Sequence, residues 1–383
     1  MIFSNTDLVL SICKFLTLSD IDEFQLVDKN ISDILIANKE YILRDECHIP
    51  IIPHGVVIEN ISNIYIETWY KEGRIHRDGD LPAKIRANGD KEWWQNNELH
   101  RDGDLPAKIR SNGDKEWWQH NELHRDGDLP AIIRGNNDCE WYQNNKHHRD
   151  GDLPAIIRTD GSQEWINHGK YHRNGDLPAI ITASGSQEWW HNDELHRDGD
   201  LPAIIYSDRH KEWYYHNERH RNGDNPAVIQ ANGDKEWWKH GHRHRNNDRP
   251  AIIRIDGYKA WWINGRVSRY GNLPAIIHAD GTKEWLEDGE LLTIIYTYGK
   301  QEWYQDGDLH REGDLPARIH ANGDREWYQM GNRYRVCDGP NIVRANGDRE
   351  WWINSGRHRG GGLPAVIRAD GSEEYWEYGS IVR

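Results

Sequence analysis

The chain of 383 residues carries 20 Trp, 17 Tyr and 35 Gly against 3 Phe and 2 Met, a composition that excludes an ordinary mixed globule. A mean hydropathy of −0.95 is low, yet so many indoles supply more large apolar surface than a disordered polymer holds, and ordered, repetitive aromatic packing is expected. Lys plus Arg number 48 and Asp plus Glu 63, a formal charge of −15, which argues against wrapping nucleic-acid phosphates and against an acidic membrane surface.

The amino terminus has no basic stretch, and its apolar run from Leu8 to Leu16 is broken by Lys14, so neither a signal peptide nor a membrane span is expected. Cys13, Cys47, Cys139 and Cys337 are scattered without metal or disulfide spacing; this suits a reducing compartment and an intracellular protein. The sequons at Asn30 and Asn60 are read as chance matches. Thr6 or Asn5 can cap a helix through Leu8, Ile12 and Leu16, and Ser19 before Asp20 can cap a second carrying Ile21, Phe24 and Val27. The phase of Asp7, Leu8, Val9, Ile12, Leu16, Asp20, Ile21, Phe24, Val27 and Lys29 resembles an F-box, with Ser4-Asn5 standing where that family usually has Leu-Pro. The resemblance implies a Skp1-like adaptor docked on Leu8, Val9, Ile12, Leu16, Ile21, Phe24 and Val27, with a cullin complex behind it. The alternative is a plain helical cap on a sheet formed by the rest of the chain.

Phe3, Phe15 and Phe24 all precede residue 50, whereas the first tryptophan is Trp69. This shift divides the chain into an F-box-like helical domain over 1–46, a linker over 47–63 and a repeat array over 64–383. The array has a period of 24, followed through Trp69, Trp93, Trp117, Trp141, Trp165, Trp189, Trp213, Trp237, Trp261 and Trp285 and resuming at Trp303, Trp327, Trp351 and Tyr375. Within a unit, Asn112-Gly113 and its copies separate two short β-prone runs, a hairpin signal, while the density of Gly and Pro excludes helix. Twelve prolines from Pro82 to Pro364 start strands, and eleven are followed by Ala, as though a neighbouring Trp packs over that point. Between Trp285 and Trp303 the spacing falls to 18. The residues lost are Arg-Asp-Gly-Asp-Leu-Pro, so that segment is read as a removable loop between strands that survive.

Two β architectures fit a 24-residue period. A hairpin per unit in one antiparallel ribbon places equivalent residues ~9.6 Å apart; a β-helix rung places them ~4.8 Å apart. Like charges stack in columns such as His100, His124, His148 and Arg101, Arg125, Arg149. At ~9.6 Å two charges repel by roughly 0.4 kcal/mol in water and at ~4.8 Å by about twice that, which favours the ribbon. Its span would be on the order of 130 Å before twist, with Trp93 and Trp94 covering opposite faces. Trp93, Trp117, Trp141, Trp165, Trp189, Trp213 and Trp237 are its expected structural anchors.

The unit resembles a MORN-type repeat, and more closely the variant of large DNA viruses, through His124-Arg125, Asp126-Gly127, Pro130-Ala131 and Trp141-Tyr142 and their counterparts. It lacks the Gly-x-Gly that follows the histidine in MORN units. The expected fold class is therefore α+β: a small helical F-box-like domain followed by an elongated all-β antiparallel ribbon of MORN-like hairpins.

The ten repeat-phase histidines, His76 and His100 among them, would lie about 10 Å apart, too far to share a zinc ion. They are read as rings packed at the strand bend, and no metal or cofactor is expected. Asp102-Gly103-Asp104 is a fair calcium fragment, but two carboxylates beside Arg101 fall short of six oxygens, and a turn with an internal Arg/Asp pair is preferred. Glu92 and Glu116, before each Trp, are read as partners for Lys or Arg. Every candidate acid or base recurs about a dozen times, whereas an active site needs one unique constellation, so no enzyme is expected. The resemblances imply a substrate-recognition adaptor of an SCF-type ubiquitin ligase, in the host cytoplasm, with the array holding a target protein. The alternative is a self-associating structural scaffold. Specificity is assigned to irregular positions such as Arg209-His210, Tyr258 and the short unit near Thr293.

Overall fold

A computed structural model of the chain describes residues 41–44, 54–61, 64–336 and 338–382. Among the described residues all regular structure is strand and no helix occurs, which corrects the expected α+β class to an all-β ribbon of antiparallel hairpins. Tyr41–Arg44, inside the segment read as helical, is a strand that pairs in parallel with His54–Ile61. His54–Ile61, in the segment read as linker, pairs antiparallel with Ile64–Lys71, Val56 opposite Trp69. Tyr41 is aromatic and Ile42, Val56, Val57 and Ile58 are β-branched, residue types that favour strand over helix. Leu8, Val9, Ile12, Leu16, Ile21, Phe24 and Val27 lie outside the described residues, so the helical F-box domain gains no support from the fold.

The chain divides into two compact units, Met1–Glu194 and Leu195–Arg383. In the first, each repeat gives two strands to an antiparallel ribbon. Lys108–Ile109 turns into Lys115–Glu116, with Lys108 opposite Glu116, and Lys115–Glu116 then pairs with Ile132–Ile133 of the next repeat. The pattern runs from Lys84–Arg86 to Gln187–Glu188. Asn112-Gly113 sits in the turn, where Gly113 adopts a φ of 93° and donates its N–H to the Arg110 carbonyl at 2.9 Å; a side chain at that φ would be strained. The second unit repeats the pattern between Ile204–Ile205 and Glu373–Glu374.

Each repeat also carries a second hairpin that the sequence reading did not foresee. Trp118–Gln119 pairs with Glu122–Leu123 through a turn in which His120 and Asn121 take φ of 50° and 65°, the paired positive values of a type I′ turn. These side hairpins are tied along the array. Leu99 donates its N–H to Asn121 Oδ1 at 2.8 Å, and the Asn121 N–H returns to the Leu99 carbonyl at 3.1 Å; Leu123 and Asn145 repeat the bond at 2.7 Å.

Trp117 stands at the joint between the two hairpins. Its N–H donates to the Ala131 carbonyl at 2.8 Å, and its own carbonyl accepts from His124 at 3.1 Å. The indoles of Trp93, Trp117, Trp141, Trp165, Trp189, Trp213 and Trp237 are each 5–8 % exposed. Ala107, wholly buried, packs with Trp93 and Leu99, which explains the alanine after eleven of the twelve repeat prolines. The core is thus a series of small clusters, another being Leu123, Ala131 and Ile132 against Trp118 and Tyr142. In the second unit the short repeat dissects this plan: Lys283–Glu287 pairs with Glu290–Ile295 across a bulge between Trp285 and Leu286, and Glu290–Ile295 pairs with Gln301–Gln305. Without the six loop residues, a side-hairpin strand and the next ribbon strand have fused into one.

Candidate binding surface

The segment from each histidine to the following proline forms a loop along one edge of the repeats, and its arginine is the most engaged side chain in it. The Arg125 guanidinium lies 3.9 Å over the Trp117 ring. Its Nη1 donates to the Pro130 carbonyl at 3.1 Å, and its Nε and Nη2 grip both oxygens of Asp104 at 2.6 and 2.9 Å. Asp104 belongs to the preceding repeat, so the pair is not internal to one turn, as the sequence suggested, but spans two repeats. Arg101 with Asp80, Arg149 with Asp128 and Arg173 with Asp152 do the same. Hydrogen bonds from Arg125 hold the Asp104 carboxyl below the usual range.

The histidine locks the same joint. In His100, Nδ1 accepts from the backbone N–H of residue 120 at 3.3 Å and Nε2 faces Asp102 at 3.1 Å, so the ring carries its proton on Nε2. The column of histidines is a packing element at the strand bend. Among the described residues no three His, Cys, Asp or Glu side chains gather as a metal site. Of the two carboxylates in each Asp-Gly-Asp, one is committed to an arginine, which leaves too few oxygens for calcium.

On the ribbon, Glu116 accepts from Arg110 at 2.9 Å and from Trp118 Nε1 at 2.9 Å, while its cross-strand neighbour Lys108 lies 4.8 Å over the Trp118 ring. Burial would raise the Glu140 carboxyl, but hydrogen bonds from His147 and Arg134 outweigh it and hold it at about 2. Burial likewise pushes Tyr171 up to about 12, helped by its bond to Glu164. These groups are spent on one another and point into the fold.

What the loops leave free is outside. Asp102, Asp126 and Asp150 have side chains 82, 83 and 86 % exposed, with a histidine as their only ion-pair partner among the described residues. Gln95, Gln119 and Gln143, followed by the histidines, donate to them and keep their carboxyls low. Three residues on, Leu81, Leu105, Leu129, Leu153 and Leu177 form a column 43–49 % exposed. Between successive loops lie clefts, one of about 260 Å³ lined by Leu129, Leu153, Trp141, Tyr142 and Asp150, the next of about 230 Å³ lined by Leu153, Trp165 and Ile166. In the second unit the columns are interrupted: Asp198 and Glu312 keep the acid and Leu201, Leu273, Leu315 and Leu363 keep the exposed leucine, but the acid is replaced by Asn222, Asn246, Tyr270 and Val336 and the leucine by Asn225, Arg249 and Gly339. Sequence reasoning placed specificity at other irregular positions and missed this edge, although the Asp-x-x-Leu phase was visible in every early repeat.

No helix among the described residues is long and apolar enough to cross a membrane. No protein-family model matches the chain, and neither does any curated protein.

Proposed function

We propose that the chain is a non-catalytic binding array, in which the loop edge of residues 78–153 receives another protein. The observation that carries this is the coincidence, on one edge, of an exposed leucine column with the carboxylates Asp102, Asp126 and Asp150, whose only ion-pair partner among the described residues is a histidine. These leucines stay about half exposed, and a regular apolar row on a polar rim marks an interaction surface. The buried ionisable groups are paired within a repeat, as Glu116 with Arg110, or with the next one, as Asp114 with Arg134, and the pairs recur along the array, which favours a structural over a catalytic use for them. Like charges along the edge oppose its pairing with a second copy of itself, which favours a different partner over the self-associating scaffold.

The test is a pull-down from cell extract with the full chain and with its Leu105→Ser, Leu129→Ser, Leu153→Ser variant, circular dichroism establishing that both are folded. Loss of the captured protein in the variant is expected; equal capture would refute the reading. The ligase-adaptor part of the expectation depends on residues 8–27, outside those described. Under it the array would be the target-holding arm, and a Skp1-like protein recovered with the full chain but lost on deleting residues 1–46 would support it.

A further inference from the structure

We infer that the edge of residues 78–153 takes a partner segment in the extended polyproline-II conformation, with a lysine or arginine at every third position. This rests on the binding-edge reading above and names the chemistry of its partner.

Charge comes first. Within each loop the inner aspartate is neutralised by an arginine of the next repeat, as Asp104 is by Arg125 and Asp128 by Arg149. The outer aspartate is not: Asp102, Asp126 and Asp150 accept only from a glutamine amide and a histidine ring. Three successive repeats therefore each present one carboxylate without a lysine or arginine partner, at Asp102, Asp126 and Asp150. Asp78, at its start, already holds Lys71 at 2.9 Å, an internal example of the cation this column accepts. At the far end the column stops, because residue 174 is Asn.

Spacing decides the conformation of the occupant. Two ribbon strands per repeat set the carboxylates ~9.6 Å apart. Polyproline II advances ~9.3 Å in a three-residue turn and returns the same face each time, so the mismatch is only about 1 Å over three repeats. A β-strand turns every third side chain to the opposite face. An α-helix needs two turns, ~10.8 Å, and drifts by roughly 3.6 Å over the same three repeats. The surface is compatible with this: the cleft between two loops sets Leu129, Leu153, Trp141 and Tyr142 beside Arg125, Asp128, Gln143 and His148, so aliphatic and aromatic walls that can receive a proline ring alternate with polar ones. A segment with cations on the Asp102, Asp126 and Asp150 column would lay a proline column along Leu105, Leu129 and Leu153.

The test is fluorescence anisotropy of the full chain with two labelled synthetic peptides, (Lys-Pro-Pro)₆ and (Lys-Pro-Pro-Pro)₆, equal in charge and different in period. The three-residue period should bind about tenfold more tightly, and Asp102→Asn, Asp126→Asn, Asp150→Asn together should remove about tenfold of that affinity at physiological salt. Because asparagine keeps an acceptor for the glutamine, the triple variant should stay folded; Asp126→Asn alone, with a loss of about threefold, gives a second reading. Equal affinity for both periods would be unregistered counter-ion attraction and overturns the inference. No binding of either peptide, while the leucine variant still loses its captured protein, overturns this partner class and leaves the binding edge standing.

Discussion

Arg173 holds Asp152, 21 residues earlier, with two parallel hydrogen bonds of 2.8 Å each, so the charged loop of one repeat is clamped by the next. The same guanidinium covers the Trp165 ring at 3.8 Å. Loop and indole are therefore not independent parts, as the dispensable loop of the short repeat had suggested, but one joint with a strong and a weak component.

The weak component can be removed alone. A cation over an indole contributes about 0.5–1 kcal/mol and a half-exposed ion pair ~0–1, so Arg125→Ala should cost about 0.5–2 kcal/mol. Trp117→Ala, at a buried joint, should cost about 3–5. Deleting residues 125–130 removes two clamps, Arg125 on Asp104 and Asp128 on Arg149, and should cost roughly twice the Arg125→Ala loss while still folding by strand fusion. Thermal melts rank the three, and limited proteolysis should show cleavage near residue 117 in the Trp variant alone, since each repeat is supported only by its neighbours. A deletion less stable than the Trp variant would reverse the ranking.

The side hairpins depend on one residue each. Asn121 combines a positive φ with a side-chain oxygen bonded to the preceding repeat. Asn121→Gly keeps the turn and loses a hydrogen bond worth about 1 kcal/mol; Asn121→Ala adds the left-handed penalty of ~1–2 kcal/mol. Amide exchange at Leu99, whose N–H is the donor, should quicken in both and the melt should fall more for Ala. Unchanged exchange at Leu99 would mean that the bond contributes nothing in solution.

Acid should loosen the second unit through Glu302. Burial opposes its charge, yet Lys300, Tyr296 and Arg318 bond to it and hold the carboxyl at about 2, below its ordinary 4.5. A depressed carboxyl stabilises the fold above its unfolded value, and that contribution, on the order of 2–3 kcal/mol, is lost as pH falls from about 4.5 toward 2. Melting temperature should therefore decline across this window, and Glu302→Gln should be less stable at pH 7 with a flatter acid profile. A variant with the parent's acid slope would assign the effect to other carboxylates.

The ribbon was legible because its signals are local: the 24-residue period, Asn112-Gly113 in the turn and the alanine under Trp93 each follow from a few neighbouring residues. The side hairpin was legible only in part: His120-Asn121 lacks the glycine that marks such turns, although Asn264-Gly265, Asp288-Gly289 and Asp306-Gly307 carry it at the same position. Its trace lay in the column Asn97, Asn121, Asn145, Gly169, Asp193, Asn217 and Gly241, a position held to residues that tolerate positive φ. The Arg–Asp clamp escaped for the opposite reason. Each loop contains both partners, and only the folded spacing shows that Arg125 reaches Asp104. At the amino terminus a local helical phase was extended to residue 46 across Tyr41-Ile42-Leu43, where the pattern no longer supported it.

The fused strand Glu290–Ile295 works as punctuation. It erases one loop, yet Glu302 still stands opposite both Ile294 and Arg318, so the phase of the later repeats is untouched. Arg311, the next arginine, stacks 3.7 Å over Trp303 and donates to Pro316, and among the described residues it pairs with no carboxylate. A molecule tracking the loops of the second unit would meet a blank between two legible stretches. A six-residue deletion in such an array can thus silence one letter without shifting the frame of the rest.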